Sequence, residues 1–127
     1  MNELSIPISF GELIDKITIL RIKAERISEP EKLANVRREL NLLEHSAQDH
    51  GASVPPIDLL TGQLAAVNER LWTIEDALRT CEREGDFGPR FVALARSVYC
   101  ENDTRAAIKR AINTLAGSAL VEEKSYA

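Results

Sequence analysis

The chain has 127 residues, of which 44% are hydrophobic and 28% are charged, and its formal net charge is -4. This length supports one hydrophobic core, so we expect a single domain over residues 1–127, and the composition argues against a disordered or fibrous protein. The negative charge, with Lys and Arg scattered among carboxylates, argues against nucleic acid as a partner. No run of ~18 apolar residues and no secretory leader pattern occurs, so we expect a cytoplasmic protein without membrane insertion.

Two capping boxes mark the starts of the first two predicted helices. The first box begins at Ser9, and the apolar stripe that follows it predicts a helix ending near Ile27. The second begins at Ser28 and precedes a helix that we expect to end at His50. These two helices are therefore predicted to form a tight hairpin.

Three further helices are predicted in the rest of the chain. A heptad-like apolar repeat indicates a long helix 3 from about Ile57 to Glu84. A short helix 4 begins at Pro89, and the polar segment at Asn102 caps a helix 5 that Gly117 ends. The sequence thus predicts an all-α antiparallel bundle, with a long helical hairpin of helices 1–3 plus two shorter C-terminal helices.

Helix 1 has a second apolar side almost opposite its main stripe, formed by Ile19 and Ile22 with Asp15 and Arg26 alongside them. Large exposed apolar patches usually mark contacts, so this face predicts an interface with a second copy of the chain or with another protein. The alternative is that helix 1 lies at the centre of the bundle and that helices 4 and 5 cover this face.

Helix 3 carries a polar seam beside its core stripe, formed by Asn68, Trp72, Glu75 and Arg79. This seam is a candidate wall of a cleft. The alternative is an indole packed at the edge of the bundle, with Glu75 and Arg79 as an ordinary pair four residues apart.

The region of helices 4 and 5 is dense in groups that bind ligands. The candidates are Asp86, Arg90, Arg96, Tyr99, Asn102, Asp103, Arg105 and Lys109. If the two helices fold as a hairpin, their cations converge near the cap at Asn102, where a phosphate or carboxylate would find positive charge and free N–H groups. The alternative is a capped turn whose arginines pair with nearby carboxylates for structure.

Motifs for metal binding and catalysis are missing from the sequence. His45 and His50 lie on different faces of their helix, and Cys81 and Cys100 lack the spacing of a zinc or redox pair. No nucleophile elbow and no glycine-rich phosphate loop occurs. We therefore expect no metal, no cofactor and no catalytic residue of a familiar type.

Three sequence blocks carry a resemblance to a known family, and they run over Gly11–Lys23, Asn35–Leu40 and Gly85–Tyr99. Over the region from Ile8 to Tyr126, the chain is similar to a small, uncharacterised, all-α bacterial family, a domain of unknown function. The resemblance implies an accessory component associated with glycosyltransferase and cell-surface polysaccharide genes. It transfers no catalytic residue.

Two functions remain open at this stage. The first is a non-catalytic interaction or scaffolding module that forms a homo-oligomer, most simply a dimer, or binds a protein partner. The alternative is a binding protein or enzyme for an anionic small molecule, such as a sugar phosphate or carboxylate, which uses the Arg and Lys residues of helices 4 and 5.

Overall fold

The computed structural model describes residues 3–50, 54–118 and 123. Within these residues the regular structure is entirely α-helical. The helices are α1 (Phe10–Arg26), α2 (Pro30–His50), α3 (Pro55–Glu84) and α4 (Pro89–Ala116).

The prediction of two short C-terminal helices is wrong, because α4 runs unbroken from Pro89 to Ala116. The polar segment at Asn102 lies inside this helix. Its residue types suit a helix start, but neither Gly nor Pro occurs between residues 90 and 116 to end the preceding turns. Thr104 instead donates its hydroxyl to the carbonyl of Cys100 at 3.3 Å, as a threonine in a helix interior does.

The long hairpin of the fold is formed by α3 and α4, which would be about 45 Å and 42 Å long at the standard helical rise. Gly85 ends α3 in the left-handed region at φ 67°, which a residue without Cβ adopts at no steric cost. Asp86 then donates its backbone N–H to the carbonyl of Cys81 at 2.9 Å. Pro89 opens α4 after this tight connection.

The helix α1 lies at the centre of the fold and contacts α2, α3 and α4. Its predicted cap is confirmed, since Ser9 Oγ accepts a hydrogen bond from the backbone of Glu12 at 3.1 Å. Nine of its 17 residues are buried. The buried apolar cluster of the fold comes from α1, α3 and α4 and consists of Phe10, Leu13, Ile14, Ile17, Ile57, Leu64, Val67, Ile108 and Ile112.

The helix α2 packs on α1 alone among the described helices. Val36 is the only buried residue of its 21. The predicted bundle of helices 1–3 is therefore corrected: α4, rather than α2, packs against both α1 and α3, while α2 covers α1 from outside through Leu40, Leu43 and Ala47.

Over the ranges that the structure covers, no helix is both long enough and apolar enough to cross a membrane.

Candidate functional site

A buried carboxylate at the centre of the fold anchors the site. Asp15 projects from α1 toward α4 and has no exposed surface. Arg105 of α4 donates from Nε to Asp15 Oδ1 at 2.9 Å and from Nη2 to Asp15 Oδ2. This two-point contact fixes the guanidinium and the carboxylate in one plane, the geometry in which arginine binds carboxylates most strongly.

Two polar side chains complete the shell around Asp15. Asn68 of α3 donates from Nδ2 to Asp15 Oδ1 at 2.9 Å and lies 2.9 Å from Thr18 Oγ1. The Thr18 hydroxyl itself donates to the backbone carbonyl of Asp15 at 2.7 Å. Side chains of α1, α3 and α4 thus meet at one carboxylate, so the cluster fixes the relative position of these helices.

A second cation lies beside the first pair. Lys109 is 5% exposed, and its Nζ lies 2.8 Å from Glu12 Oε2 and 4.0 Å from Asp15 Oδ2. Glu12 and Asp15 therefore balance Arg105 and Lys109, two charges against two. Such balance is needed because an unpaired charge in the interior is strongly destabilising.

The pKa of Asp15 reflects both its burial and its partners. Burial is the largest single influence and raises the pKa. Hydrogen bonds from Arg105 and Asn68, together with the positive charges of Arg105 and Lys109, outweigh it and hold the pKa of Asp15 below its ordinary value. Asp15 is therefore ionised at neutral pH, and its oxygens accept hydrogen bonds from Arg105 and Asn68.

The close approach of α1 and α4 next to this cluster depends on a glycine. Gly11 donates its backbone N–H to Asn113 Oδ1 at 2.6 Å. A Cβ atom at this position would lie 2.5 Å from the carbonyl oxygen of Lys109, far inside van der Waals contact. Only glycine permits this approach without a backbone shift, and the approach brings Asp15 within reach of Arg105.

A cleft of about 390 Å³ opens beside the Asp15–Arg105 pair, between α1, α3 and α4. Ile19, Ile22 and Leu71 supply its apolar surface, and Trp72 adds one aromatic ring. The remaining lining residues are polar: Asn68, Glu75, Asp76, Arg79, Asn102 and Arg105. An apolar wall with a few convergent polar groups is the usual composition of a small-molecule site, and the volume is in the usual range.

The indole of Trp72 is held in place from outside the cleft. The Arg26 guanidinium carbon lies 5.8 Å from the ring centroid, within the range of a cation–π contact. Arg26 also pairs with Glu69. This contact restrains the indole, which also lines the cleft.

The chain belongs to a family of unknown function, DUF6165. The family model matches residues 4–127, nearly the whole sequence. No curated protein and no solved structure matches the sequence significantly.

The residues predicted as an interface on helix 1 lie inside the fold, along the cleft or, for Arg26, on the exposed surface beside Trp72. Asp15 and Ile22 are buried, Ile19 lines the cleft, and Arg26 packs on Trp72. This placement corresponds to the alternative considered for that face, a central α1.

The four residues of the seam predicted on helix 3 lie close together, because all of them line the cleft: Asn68, Trp72, Glu75 and Arg79. The eight candidates of helices 4 and 5 do not converge, since Arg90 and Lys109 are separated by about 28 Å along one continuous helix.

The eight candidate residues fall into three groups according to their surroundings. Asn102 and Arg105 line the cleft, and Lys109 lies in the buried cluster beside it. Arg90 instead donates to Cys81 Sγ at 3.4 Å near the far turn, where Asp86 Oδ1 accepts from the backbone of Gly88 at 3.1 Å. The other three candidates are exposed along α4: Arg96, Tyr99 and Asp103.

Sequence reasoning missed three members of the cluster, Glu12, Thr18 and Asn113, and gave Asp15 an outward role. One signal was available: Asp15 stands between Ile14 and Ile17 in an apolar stretch of a helix, and a carboxylate in such a position needs a partner. Across the residues that the structure describes, no group of three or more His, Cys, Asp or Glu side chains is arranged to hold a metal ion.

Proposed function

We propose that this protein is a non-catalytic binding module whose cleft between α1, α3 and α4 takes a small, neutral, hydroxylated ligand such as a sugar ring. One observation carries the proposal. The cleft combines the indole of Trp72 with amide and charged side chains along its lining. The C–H face of a sugar ring packs on an indole, while planar amide, carboxylate and guanidinium groups match its hydroxyls.

The charges around the cleft favour a neutral ligand. Glu75 and Asp76 balance Arg79 and Arg105 along the lining, which therefore carries no excess positive charge. A dianionic ligand would require excess positive charge, which these residues do not provide. The proposed ligand class therefore differs from the phosphate or carboxylate expected from the sequence.

The amide of Asn102, which lines the cleft, supplies directional recognition. Asn102 Oδ1 accepts a hydrogen bond from Arg105 Nη1 at 3.3 Å, which orients the amide. Its Nδ2 donor is then directed away from Arg105. A donor that is held in position before binding loses little entropy when a hydroxyl oxygen arrives.

Asp15 takes no part in proton transfer in this proposal. Its carboxylate accepts hydrogen bonds from Arg105 and Asn68, has no exposed surface and is held ionised. A general acid or base must exchange a proton with the ligand, and Asp15 is both inaccessible and committed to its partners. We therefore assign Asp15 a positioning role for Arg105.

The biological setting is proposed from the resemblance to bacterial proteins associated with glycosyltransferase and cell-surface polysaccharide genes. A sugar-binding accessory protein in the bacterial cytoplasm is consistent with that resemblance and with the chemistry of the cleft. Its expected homo-oligomeric state belongs to the same proposal.

The single tryptophan makes a direct binding test available, since Trp72 is the only one in the chain. Its fluorescence, excited selectively at a wavelength where tyrosine does not absorb, should change saturably as neutral mono- and disaccharides are added. Sugar phosphates form a parallel series. A response to phosphorylated sugars alone would support an anionic ligand and contradict the neutral ligand proposed here.

A matched pair of variants on α3 locates the binding. Arg79→Ala removes a group that lines the cleft, whereas Arg83→Ala removes an exposed arginine one turn further along. We expect Arg79→Ala to weaken binding about tenfold, as loss of one charge-assisted hydrogen bond does, and Arg83→Ala to leave it unchanged. Equal effects of the two variants, or no saturable response to any neutral sugar, would overturn the proposal.

A further inference from the structure

The buried amide of Asn68 has one polar atom without a partner, and that atom faces the cleft. Asn68 is 5% exposed, and its Nδ2 donates to Asp15 Oδ1 and to Thr18 Oγ1, both at 2.9 Å. Among the described residues, no group donates a hydrogen bond to Asn68 Oδ1. No fully buried polar atom of a described side chain lacks a partner, so this oxygen reaches solvent, and the cleft is the opening that Asn68 lines.

The orientation of this amide is fixed by the chemistry of its partner. The Asp15 carboxylate is ionised and only accepts hydrogen bonds, so the NH2 group of Asn68 must face it. The opposite orientation would place the carbonyl oxygen of Asn68 against a carboxylate oxygen. The cleft therefore contains a fixed hydrogen-bond acceptor, which an N–H or O–H group of a ligand can satisfy.

A fixed donor lies at the other end of the same chain of hydrogen bonds. This chain links four side chains in order, Asn68, Asp15, Arg105 and Asn102. Because Asn102 Oδ1 accepts from Arg105 Nη1, its Nδ2 is left to donate. Two asparagines on different helices thus offer a ligand one acceptor and one donor.

Aliphatic side chains lie around the acceptor. Leu71 is one turn from Asn68 on α3, and Ile22 is one turn from Thr18 on α1, and both line the cleft. A hydroxyl that donates to Asn68 Oδ1 would leave its own lone pairs against these side chains, which donate no hydrogen bond, and an unsatisfied polar atom weakens binding. A secondary amide N–H has no lone pair to satisfy.

We infer that the ligand of this cleft carries an acetamido group, as N-acetylated amino sugars do, and that its N–H donates to Asn68 Oδ1. The inference rests on the proposed sugar-binding function and names the class of sugar. The acetamido carbonyl accepts from Asn102 Nδ2, and the methyl group packs against Ile22 and Leu71. An acetamido group is neutral, so it also suits the balanced charges of the lining.

Titration of Trp72 fluorescence with paired sugars tests the acetamido group. Glucose, galactose and mannose are each compared with the derivative that carries a 2-acetamido group in place of the 2-hydroxyl. The tightest-binding derivative should have a dissociation constant roughly tenfold or more below that of its parent, as one added hydrogen bond and a buried methyl group give. Parents that bind saturably and as tightly as their derivatives would overturn this inference and leave the proposed function standing. No response to any of the six sugars would overturn both.

Two buried asparagines provide a variant and its control. Asn68→Ala removes the acceptor, whereas Asn113→Ala removes a buried amide that joins α1 to α4 and does not line the cleft. We expect Asn68→Ala to bring the two dissociation constants within about threefold of each other, and Asn113→Ala to keep the wild-type ratio. A general loss of stability does not change this ratio, because both sugars are measured on the same folded protein. A wild-type ratio in Asn68→Ala would contradict the inference.

A variant outside the core decides the question if Asn68→Ala does not fold. Asn102 is half-buried, and Asn102→Asp keeps an oxygen for Arg105 Nη1 while a carboxylate oxygen replaces the donor. The acetamido carbonyl would then meet an acceptor, so the preference for the acetamido sugar should fall about fivefold or more. Circular dichroism checks the helix content of each variant. A preference that Asn102→Asp leaves unchanged would overturn the inference.

Discussion

The two neighbours of α1 are held to it in different ways. Toward α4, contact runs through the Asp15–Arg105 pair and the hydrogen bond that the Gly11 backbone N–H donates to Asn113 Oδ1. Toward α2, contact runs through half-buried aliphatic side chains and an ion pair between Arg21 and Glu44, whose side chains are 52% and 34% exposed. The first contact specifies atoms and directions, whereas the second requires only apolar surface of about the right size.

Removing one partner of the buried pair should have the largest effect. Arg105→Leu leaves the Asp15 carboxylate in the interior without its main partner, so we expect the free energy of unfolding to fall by about 3–5 kcal/mol. Arg21→Leu on the opposite face should change it by at most ~0.5 kcal/mol, because the Arg21–Glu44 pair is exposed and screened. Urea denaturation followed by circular dichroism measures both.

A double variant sharpens this prediction. Asp15→Leu combined with Arg105→Leu removes both charges, and it should be more stable than Arg105→Leu alone because no unpaired carboxylate is left. If the stability losses of the two single variants simply add up in the double variant, the two residues act independently. That result would remove the distinction between the faces of α1.

The next largest effect concerns the glycine that brings α1 against α4. Gly11→Ala places Cβ 2.5 Å from the Lys109 carbonyl oxygen, a backbone atom that has little room to yield. We expect a loss of about 1–3 kcal/mol, as in other overpacked interiors. Gly62→Ala is the matched control, since nothing lies within 4 Å of a Cβ at that helical position. It should raise stability by roughly 0.5–1 kcal/mol. Equal changes in melting temperature would contradict the close approach.

A smaller effect is confined to acid solution. The pKa of Asp15 is lower in the folded chain than its ordinary value of 3.8, so the unfolded chain binds the proton more readily. The stability that this carboxylate contributes is therefore fully present above the ordinary pKa and is lost as pH falls through the lowered one. The difference in urea midpoint between wild type and Asp15→Asn should accordingly shrink below about pH 4. A difference that stays constant into strong acid would rule out this contribution.

The parts of the site that were predictable from the sequence are those that lie on one helix. Asn68, Trp72, Glu75 and Arg79 share a face of α3 because residues three and four apart coincide on any helix, so periodicity alone grouped them. Periodicity carries no information on contacts between helices. The partner of Asp15 lies 90 residues away in the chain, which is why a buried acid resembled a surface residue.

The number of helices was mispredicted for a related reason. Asn102, Asp103 and Thr104 stabilise a helix start when the preceding helix ends, and they are tolerated within a helix when nothing ends it. The local signal is the same in both cases. The continuity of α4 is supported by its contacts with α1 and α3 on either side of this segment, through Ile108, Arg105 and Glu101. No local pattern reports such contacts.

The pairing of Gly11 with Asn113 and of Asp15 with Arg105 spans 102 and 90 residues of sequence. The charged face of α1 is therefore completed only when α4 has been synthesised. Contacts between distant parts of a chain slow folding because a large loop must close first. A nascent chain that stops short of Arg105 would carry an ionised carboxylate that resists burial, so α1 stays undocked until α4 has been synthesised.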